Sequence, residues 1–202
     1  FSGLDEKAAV ANGCVELDNL VVACRRAAAR GNVDMAVRSL EGAWAGLRLR
    51  GPFRVGVELA SLVRAMPGIG TAALARVDYV AGRALESTGK VPEAHVQFEA
   101  SLAGTREVGD RQGEFHALVR LGFLDTHEGQ LESARANLEV ALTIAHELKD
   151  RRMQSDVHNN LGTLESFQGQ PERALAYYEA ALALAREAGD RRREGAVLGN
   201  LG

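Results

Sequence analysis

The sequence predicts an all-α protein built as a stack of helical hairpins, on the basis of its composition, its internal repeat and the spacing of its apolar residues. Of its 202 residues, 46% are hydrophobic but only 5% are aromatic. A chain of this length and apolar content can bury a substantial core. Its alanine- and leucine-rich composition favours packed helices over a β-sandwich, whose strands are rich in β-branched and aromatic residues.

One internal register, forty residues long, runs from about Val80 to the end of the chain. Two sets of glycines keep this register: Gly82, Gly122, Gly162 and Gly202, and then Gly89, Gly129 and Gly169. Alanines and leucines follow the same spacing, at Ala94, Ala134 and Ala174 and at Leu102, Leu142 and Leu182. So many agreements at one period indicate a structural repeat.

Each repeat is predicted to contain two helices, and the last complete one shows why. Its first helix is expected over Arg151–Phe167, because Gly169 follows as a break. The second is expected over Pro171–Ala188, since proline suits the first turn of a helix. Gly189 then provides a left-handed cap that ends it.

Gly162 lies inside the predicted first helix. Glycine costs about 1 kcal/mol relative to alanine in a helix interior, so its recurrence at every period needs a reason. We expect the partner helix to pass too close for a side chain, with Ala174 facing the glycine.

The recurring pattern resembles the tetratricopeptide repeat. The residues that carry the resemblance are Asn160, Leu161, Gly162, Gly169, Pro171, Ala174, Tyr178 and Ala181. The period is similar to that of the long-helix variant found in kinesin light chains and many bacterial regulators. The resemblance covers residues 71–202 and implies a right-handed α-solenoid, whose inner groove is lined by the first helices and holds extended peptides. Leu138 departs from the family pattern, where an aromatic residue is common.

The chain is predicted to divide near residue 70. Residues 1–70 are expected to form irregular helical hairpins that begin the solenoid, with helices over residues 16–30, 33–50 and 53–64. Regular repeats are expected at about 71–110, 111–150, 151–190 and a truncated 191–202. Since Gly202 falls inside a first helix and a solenoid needs a polar terminal cap, we expect this chain to be part of a longer protein.

A second resemblance concerns the segment Glu16–Leu20 and the helix breaks at Gly31 and Gly51. It resembles the region that joins the ATPase and winged-helix part of bacterial signal-transduction ATPases of the STAND type to their C-terminal repeats. This resemblance implies ATPase and winged-helix domains attached to the repeats in the parent chain.

The composition argues against several classes of partner. The formal net charge is −3, without a basic stripe, which disfavours nucleic-acid binding by this segment. No apolar run is long enough to span a membrane and the first residues do not resemble a signal peptide, so a cytoplasmic protein is predicted. Cys14 and Cys24 are interpreted as helix residues, because their spacing fits neither a disulfide framework nor a zinc site.

No motif indicates catalysis or a cofactor. The sequence has no phosphate-binding loop of the G-x-x-x-x-G-K-[ST] type and no G-x-S-x-G nucleophile elbow. Five histidines are present, at His95, His116, His127, His146 and His158, and none forms the closely spaced pair typical of a metal site. We therefore predict no metal, no cofactor and no enzymatic activity in this segment.

The family resemblance implies which residues line the binding groove. The candidates are Arg76, Tyr79 and Arg83, then His116, Arg120 and Phe123, and finally Asp156, Asn159, Asn160, Thr163 and Asn200. Asparagine offers a donor and an acceptor that suit a peptide backbone, and arginine offers forked donors for a carboxylate. Tyr79 and Phe123 would add an apolar anchor point. The alternative for each residue is an ordinary solvated or capping side chain.

Three functions compete at this stage. The first is a sensor or interaction arm of a larger bacterial regulator, which binds a protein, a peptide or a small effector. The second is a freestanding scaffold that assembles proteins without a switch. The third, an enzyme built on a helical frame, is the least favoured.

Overall fold

The computed structural model describes the backbone of residues 2–201 and the side chains of residues 16–49 and 51–201. Within that part of the chain the secondary structure is ten α-helices without a strand, which confirms the all-α prediction. The side chain of Cys14 and the residue Gly202, both named in predictions, lie outside the described residues. The helices are α1 Ser2–Ala29, α2 Val33–Arg50, α3 Phe53–Arg64, α4 Thr71–Ser87, α5 Val91–Val108, α6 Arg111–His127, α7 Leu131–Glu147, α8 Arg151–Phe167, α9 Pro171–Glu187 and α10 Arg191–Leu201.

The helix boundaries follow the breaks expected from the sequence. From α4 onwards the helices begin at a constant interval, at residues 71, 91, 111, 131, 151, 171 and 191. Helix α8 begins and ends as predicted, and α9 begins at Pro171 as predicted but ends at Glu187, one residue before the expected Ala188. Helix α1 is longer than predicted, because it begins at Ser2 rather than at Glu16. Gly13 lies within it, so that single glycine does not break the helix.

The first compact unit comprises residues 1–109 and contains α1 to α5. Helix α1 packs on α2 and α3, and α4 packs on α2, α3 and α5. Trp44 belongs to the shared core of these helices, as do Leu40 and Leu59, and is only 6% exposed. Burial of such side chains removes a large apolar area from water and drives the packing.

The second compact unit comprises residues 110–202 and contains two complete hairpins followed by α10. Helix α6 pairs with α7, and α8 pairs with α9, while α10 packs on both α8 and α9. The first helices also touch each other in sequence, α6 with α8 and α8 with α10. This unit therefore contains two layers, one of first helices and one of second helices.

The turns between hairpins use a left-handed residue. Gly189 has φ +64°, which glycine adopts without strain and which ends α9 as predicted. The equivalent residue forty positions earlier is Lys149, the non-glycine residue with a positive φ, at 53°. The left-handed turn is therefore kept even where the side chain does not favour it.

Gly162 does face the second helix closely, but Tyr178 rather than Ala174 opposes it. A Cβ at Gly162 would lie 2.6 Å from both Cδ1 and Cε1 of the Tyr178 ring. Ala174 and Tyr178 are one turn apart on the same face of α9, and the ring fills the space that the glycine leaves. The predicted close approach is confirmed, and the predicted contact residue was wrong.

The same arrangement occurs in the two preceding hairpins with different bulky residues. Phe98 lies 2.7 Å from the Cβ position of Gly82, and Leu138 lies 2.7 Å from that of Gly122. Leu138 is fully buried, so an aliphatic side chain fills the place that is commonly aromatic. The missing Cβ is thus the constant feature of the hairpin.

A buried ion pair fastens α3 to α4 in the first unit. Asp78 is 2% exposed and pairs with the guanidinium of Arg64, which also donates a hydrogen bond to Gln97 at 2.9 Å. Burial raises the pKa of Asp78, and the positive charge of Arg64 acts in the opposite direction. A carboxylate in such a place needs a charged partner, and Arg64 in the last turn of α3 supplies it.

Gly162→Ala tests the close approach of α8 and α9. Alanine would favour the helix by about 1 kcal/mol, but its Cβ would overlap the Tyr178 ring, and overpacking costs about 1–3 kcal/mol. We expect a net loss of stability, seen as a lower melting temperature. Gly199→Ala in α10 is the matched control, because nothing lies within 4 Å of a Cβ there, and it should raise the melting temperature. Equal gains in both variants would show that the glycine is not required by packing.

Candidate binding surface

The residues predicted to line a groove all lie on first helices. Arg76, Tyr79 and Arg83 lie on α4, and His116, Arg120 and Phe123 lie on α6. Asp156, Asn159, Asn160 and Thr163 lie on α8, and Asn200 lies on α10. Most are partly buried, whereas Arg76 and Asn200 are exposed. The two units are considered separately below.

In the first unit the predicted arginines already contact acidic residues. Arg76 donates two hydrogen bonds to Glu41 of α2, from Nε to Oε1 at 2.8 Å and from Nη2 to Oε2 at 2.5 Å. Arg83 lies 3.4 Å from Glu86 and donates to the Tyr79 hydroxyl at 3.4 Å. A carboxylate ligand would therefore have to displace Glu41 to use the Arg76 fork.

In the second unit Asp156 is held by an arginine that the sequence analysis did not select. Arg193 of α10 donates from Nε to Oδ1 of Asp156 at 2.7 Å and from Nη2 to Oδ2 at 2.8 Å. This forked geometry is the strong form of an ion pair. It raises the pKa of Arg193 and connects α8 to α10, so Asp156 has a structural partner.

Asn159 and Asn200 are brought together as neighbours. Asn200 Nδ2 donates to Asn159 Oδ1 at 2.9 Å, across the contact between α8 and α10. Each amide carries both a donor group and an acceptor oxygen. We name this pair of residues the Asn bridge. The amide N–H groups of Asn159 and the amide oxygen of Asn200 have no partner among the described residues.

The other polar residues of α8 are used locally. Asn160 Nδ2 donates to the Asp156 backbone oxygen at 2.7 Å, one turn earlier in the same helix. The Thr163 hydroxyl donates to the Asn159 backbone oxygen at 3.2 Å and accepts from the Tyr178 hydroxyl at 3.3 Å. The Asn bridge differs from these contacts because it joins two first helices, α8 and α10.

Aromatic side chains meet between α6 and α8. Phe123 and His127 lie one turn apart on α6 with ring centroids 4.3 Å apart, and His127 lies 5.2 Å from Phe167 at the end of α8. The Arg120 guanidinium lies 4.6 Å from the centroid of the Phe123 ring. We name the three rings the ring cluster; Phe167 within it is 52% exposed.

Phe123 was predicted from the sequence as a groove residue, whereas His127, Phe167 and Arg193 were not. A signal existed for the first two, since His127 and Phe167 are equivalent positions of successive repeats and Phe123 precedes His127 by one helical turn. Arg193 had no such signal, because its partner Asp156 lies in a different helix.

Two further titratable groups show how this unit is organised. Burial lowers the pKa of His158, and the charge of His146 acts in the same direction, so the imidazole is kept neutral within the hairpin layer. The backbone N–H of Arg193, and then its guanidinium, lower the pKa of Asp190, which caps α10. Both effects belong to helix packing and capping.

A small cleft lies at the turn between α7 and α8. It has a volume of about 370 Å³ and is lined by Leu148, Lys149, Asp150, Arg151, Arg152 and Ala188. None of the predicted groove residues lines it. The cleft therefore does not coincide with the Asn bridge or the ring cluster.

Among the described residues, no group of three or more histidine, cysteine, aspartate or glutamate side chains is placed to hold a metal ion. Over the same residues, no helix combines the length and the apolar character needed to cross a bilayer.

Sequence comparison finds one family match, which falls on α6 to α9. Residues 113–187 match the tetratricopeptide repeat family model. No curated protein matches the chain significantly in sequence. The match thus covers the two complete hairpins of the second unit, where the recurring glycines and alanines are most regular.

Solved structures extend the likeness to most of the chain. BtubC (BKLC) from P. vanneervenii superposes with a TM-score of 0.68 at 16% identity, over 91% of this chain and 89% of that one. A Podosopora anserina protein assigned as a kinesin light chain, with nearly identical TPR-like repeats, gives a TM-score of 0.58 at 18% identity, over 86% and 97%. At such identities the likeness shows the fold, an all-α helical repeat.

One similar structure is an enzyme by name. Aspartyl phosphate phosphatase F from Bacillus subtilis superposes with a TM-score of 0.66 at 12% identity. The match covers 96% of this chain but 57% of the phosphatase chain. The shared feature is therefore the arrangement of helices.

Arg193→Met tests whether Arg193 holds α10 on α8. The variant keeps the apolar stem but loses the forked pair with Asp156, which we expect to cost about 1 kcal/mol because both groups are partly exposed. Backbone amides of α10 should exchange hydrogen faster, while those of α8 keep their protection. Arg192→Met is the matched control at an exposed position of the same helix. Unchanged exchange in α10 would refute this role.

Proposed function

We propose that this chain is a protein- or peptide-binding repeat module that holds an extended ligand on its first helices. Tetratricopeptide-like repeats are in general protein-interaction modules. The observation that carries the proposal is the Asn bridge, which joins α8 to α10 and keeps one donor and one acceptor for a ligand. A peptide backbone carries the complementary N–H and C=O groups at every residue. Such contacts bind the backbone of the peptide and do not depend on its side chains.

The proposed biological setting is a sensor or interaction arm of a larger bacterial regulator in the cytoplasm. The resemblance of Glu16–Leu20 to the linker of signal-transduction ATPases supports attached ATPase and winged-helix domains. The ligand is a protein or peptide, with a small effector as the alternative. The net charge of −3 supports a role without nucleic-acid contacts by this segment. We assign no catalytic step and no cofactor to these repeats.

A ligand-driven change would act through the repeat interfaces. Each helix of the second unit touches its neighbours, so a small rotation at one contact is passed on to the next. A peptide that bridges α8 and α10 at the Asn bridge would favour one angle between these helices. A ligand shifts a conformational equilibrium only when it binds one conformation more tightly than the other.

Selection of random peptides displayed on phage, against the complete chain, tests the binding function. Synthetic copies of the enriched peptides should bind the unaltered protein and lose about tenfold in affinity with Asn159→Ala or Asn200→Ala, because each removes a ligand hydrogen bond. Glu179→Ala, an exposed change on α9, is the control and should leave the affinity unchanged. No enrichment, or equal affinity in all variants, would contradict the proposal.

The encoding gene tests the proposed setting. If the repeats are the arm of a signal-transduction ATPase, the sequence upstream of this segment should encode a phosphate-binding loop and a winged helix. Flanks that contain only further repeats and a polar cap would instead support a freestanding scaffold. Sequencing both sides of the segment distinguishes these outcomes.

A further inference from the structure

His158 occupies a position that an apolar residue fills in the preceding hairpin. Its equivalent forty residues earlier is Leu118, which is 1% exposed. One repeat before that, the same position holds Asp78, the buried carboxylate that pairs with Arg64. The fold therefore does not require a histidine at this place. Where the chain puts a charge there in the first unit, it also supplies a partner of opposite charge.

The imidazole of His158 has no such partner at its buried nitrogen. The Nδ1 atom is shielded from solvent and has no hydrogen-bond partner among the described residues. The ring lies next to Tyr177 of α9, with centroids 5.9 Å apart. A neutral imidazole can leave Nδ1 without a proton, whereas an imidazolium carries a proton on both nitrogens. Protonation would therefore bury a positive charge and an N–H group that lacks an acceptor.

The groups that face His158 do not compensate a positive charge. On α7 the facing titratable group is His146, whose own charge opposes protonation of His158. On α9 the facing group is Tyr177, which offers a ring and not a carboxylate. On α8 itself, the residues one turn before and after His158 are uncharged; they are Gln154, Ser155, Leu161 and Gly162.

The charged groups further along these helices have partners of their own. Glu165, two turns along α8, accepts a hydrogen bond from Arg135 of α7 at 2.7 Å and lies 3.4 Å from Arg173 of α9. Arg151, two turns in the other direction, lies 3.5 Å from Glu187. Other contacts around α8 join Glu139 electrostatically to Arg135, His127 to Phe167, and Arg193 to Asp156.

We propose that His158 makes the stacking of the α8–α9 hairpin on α7 sensitive to acid, because protonation of its imidazole weakens the contacts where these three helices meet. Acid then favours local opening of the second unit at this junction. This conformational device does not depend on the proposed binding function.

The direction of the pH effect follows from proton binding. Burial lowers the pKa of His158, whereas a histidine in an unfolded chain has a pKa of about 6.5. Below about pH 6.5 the opened chain therefore binds a proton that the folded chain resists. The stabilising contribution is complete above that pH and is lost as the pH falls towards the lower pKa of the folded state. The opening constant rises by at most about tenfold per pH unit.

Hydrogen exchange of the complete chain at about pH 7.5 and about pH 5.5 tests the proposal, with rates corrected for the intrinsic pH dependence of exchange. Backbone amides of α8 and α9 should lose about three- to tenfold in protection at the lower pH. In His158→Leu they should keep their protection, and this variant should fold because Leu118 fills the equivalent position.

His95→Gln is the matched control, because His95 is a partly buried histidine on α5 in the first unit. It should show the same loss of protection in α8 and α9 as the unaltered chain. Protection of α8 and α9 that does not fall in the unaltered chain, or that falls equally in His158→Leu, would overturn the proposal.

Titration of the imidazole C–H signals by NMR gives a second readout that requires only the unaltered chain. The His158 signal, identified by its proximity to the Tyr177 ring, should titrate below about pH 6.5. In His146→Gln, an exposed change that removes the neighbouring charge, it should titrate at a higher pH than in the unaltered chain. Titration of His158 in the folded chain at or above about pH 6.5 would refute the proposal.

Discussion

The close approach of the two helices in each hairpin is the constraint on which the other contacts depend. A glycine of the first helix leaves space for a bulky residue of the second, in the pairs Gly82–Phe98, Gly122–Leu138 and Gly162–Tyr178. Side chains turn by about 100° per residue around an α-helix. Once Gly162 faces α9, the neighbouring Thr163 lies at the edge of that contact, where its hydroxyl accepts a hydrogen bond from Tyr178. The side of α8 that carries the Asn bridge is therefore oriented by the glycine.

Buried carboxylates add a second, polar set of contacts. Asp125 and Glu165 are equivalent residues near the ends of α6 and α8, and both are fully buried. Asp125 accepts hydrogen bonds from Ser133 and Asn137 of α7, at 2.7 and 2.9 Å. Glu165 accepts from Arg135, also of α7, at 2.7 Å. Because a buried carboxylate is costly without donors, these contacts fix α7 against the first helices on either side.

Local patterns predicted the helices well, because breaks such as Gly189 act on their own stretch of chain. They could not predict that Tyr178 rather than Ala174 faces the glycine. Both residues lie on one face of the helix, and their spacing does not indicate which side chain packs closer to the glycine. The pairing of Arg193 with Asp156 was also missed. It joins α8 to α10, with α9 between them in the chain, so it depends on tertiary placement that periodicity does not specify.

Comparison of the repeats separates positions that helix packing keeps constant from positions that vary. Positions of α6 and α8 that contact the second helix repeat a glycine or a buried acid. Other positions change their residue type, since Phe123 corresponds to Thr163 and His127 corresponds to Phe167. A position with no packing demand can change without loss of stability, so its side chain is free to be set by binding. Two independent contacts about 12 Å apart on one helix, each of which changes the affinity about tenfold, would together change it about a hundredfold. A ligand of the proposed kind would gain specificity by combining modest contacts along the helix.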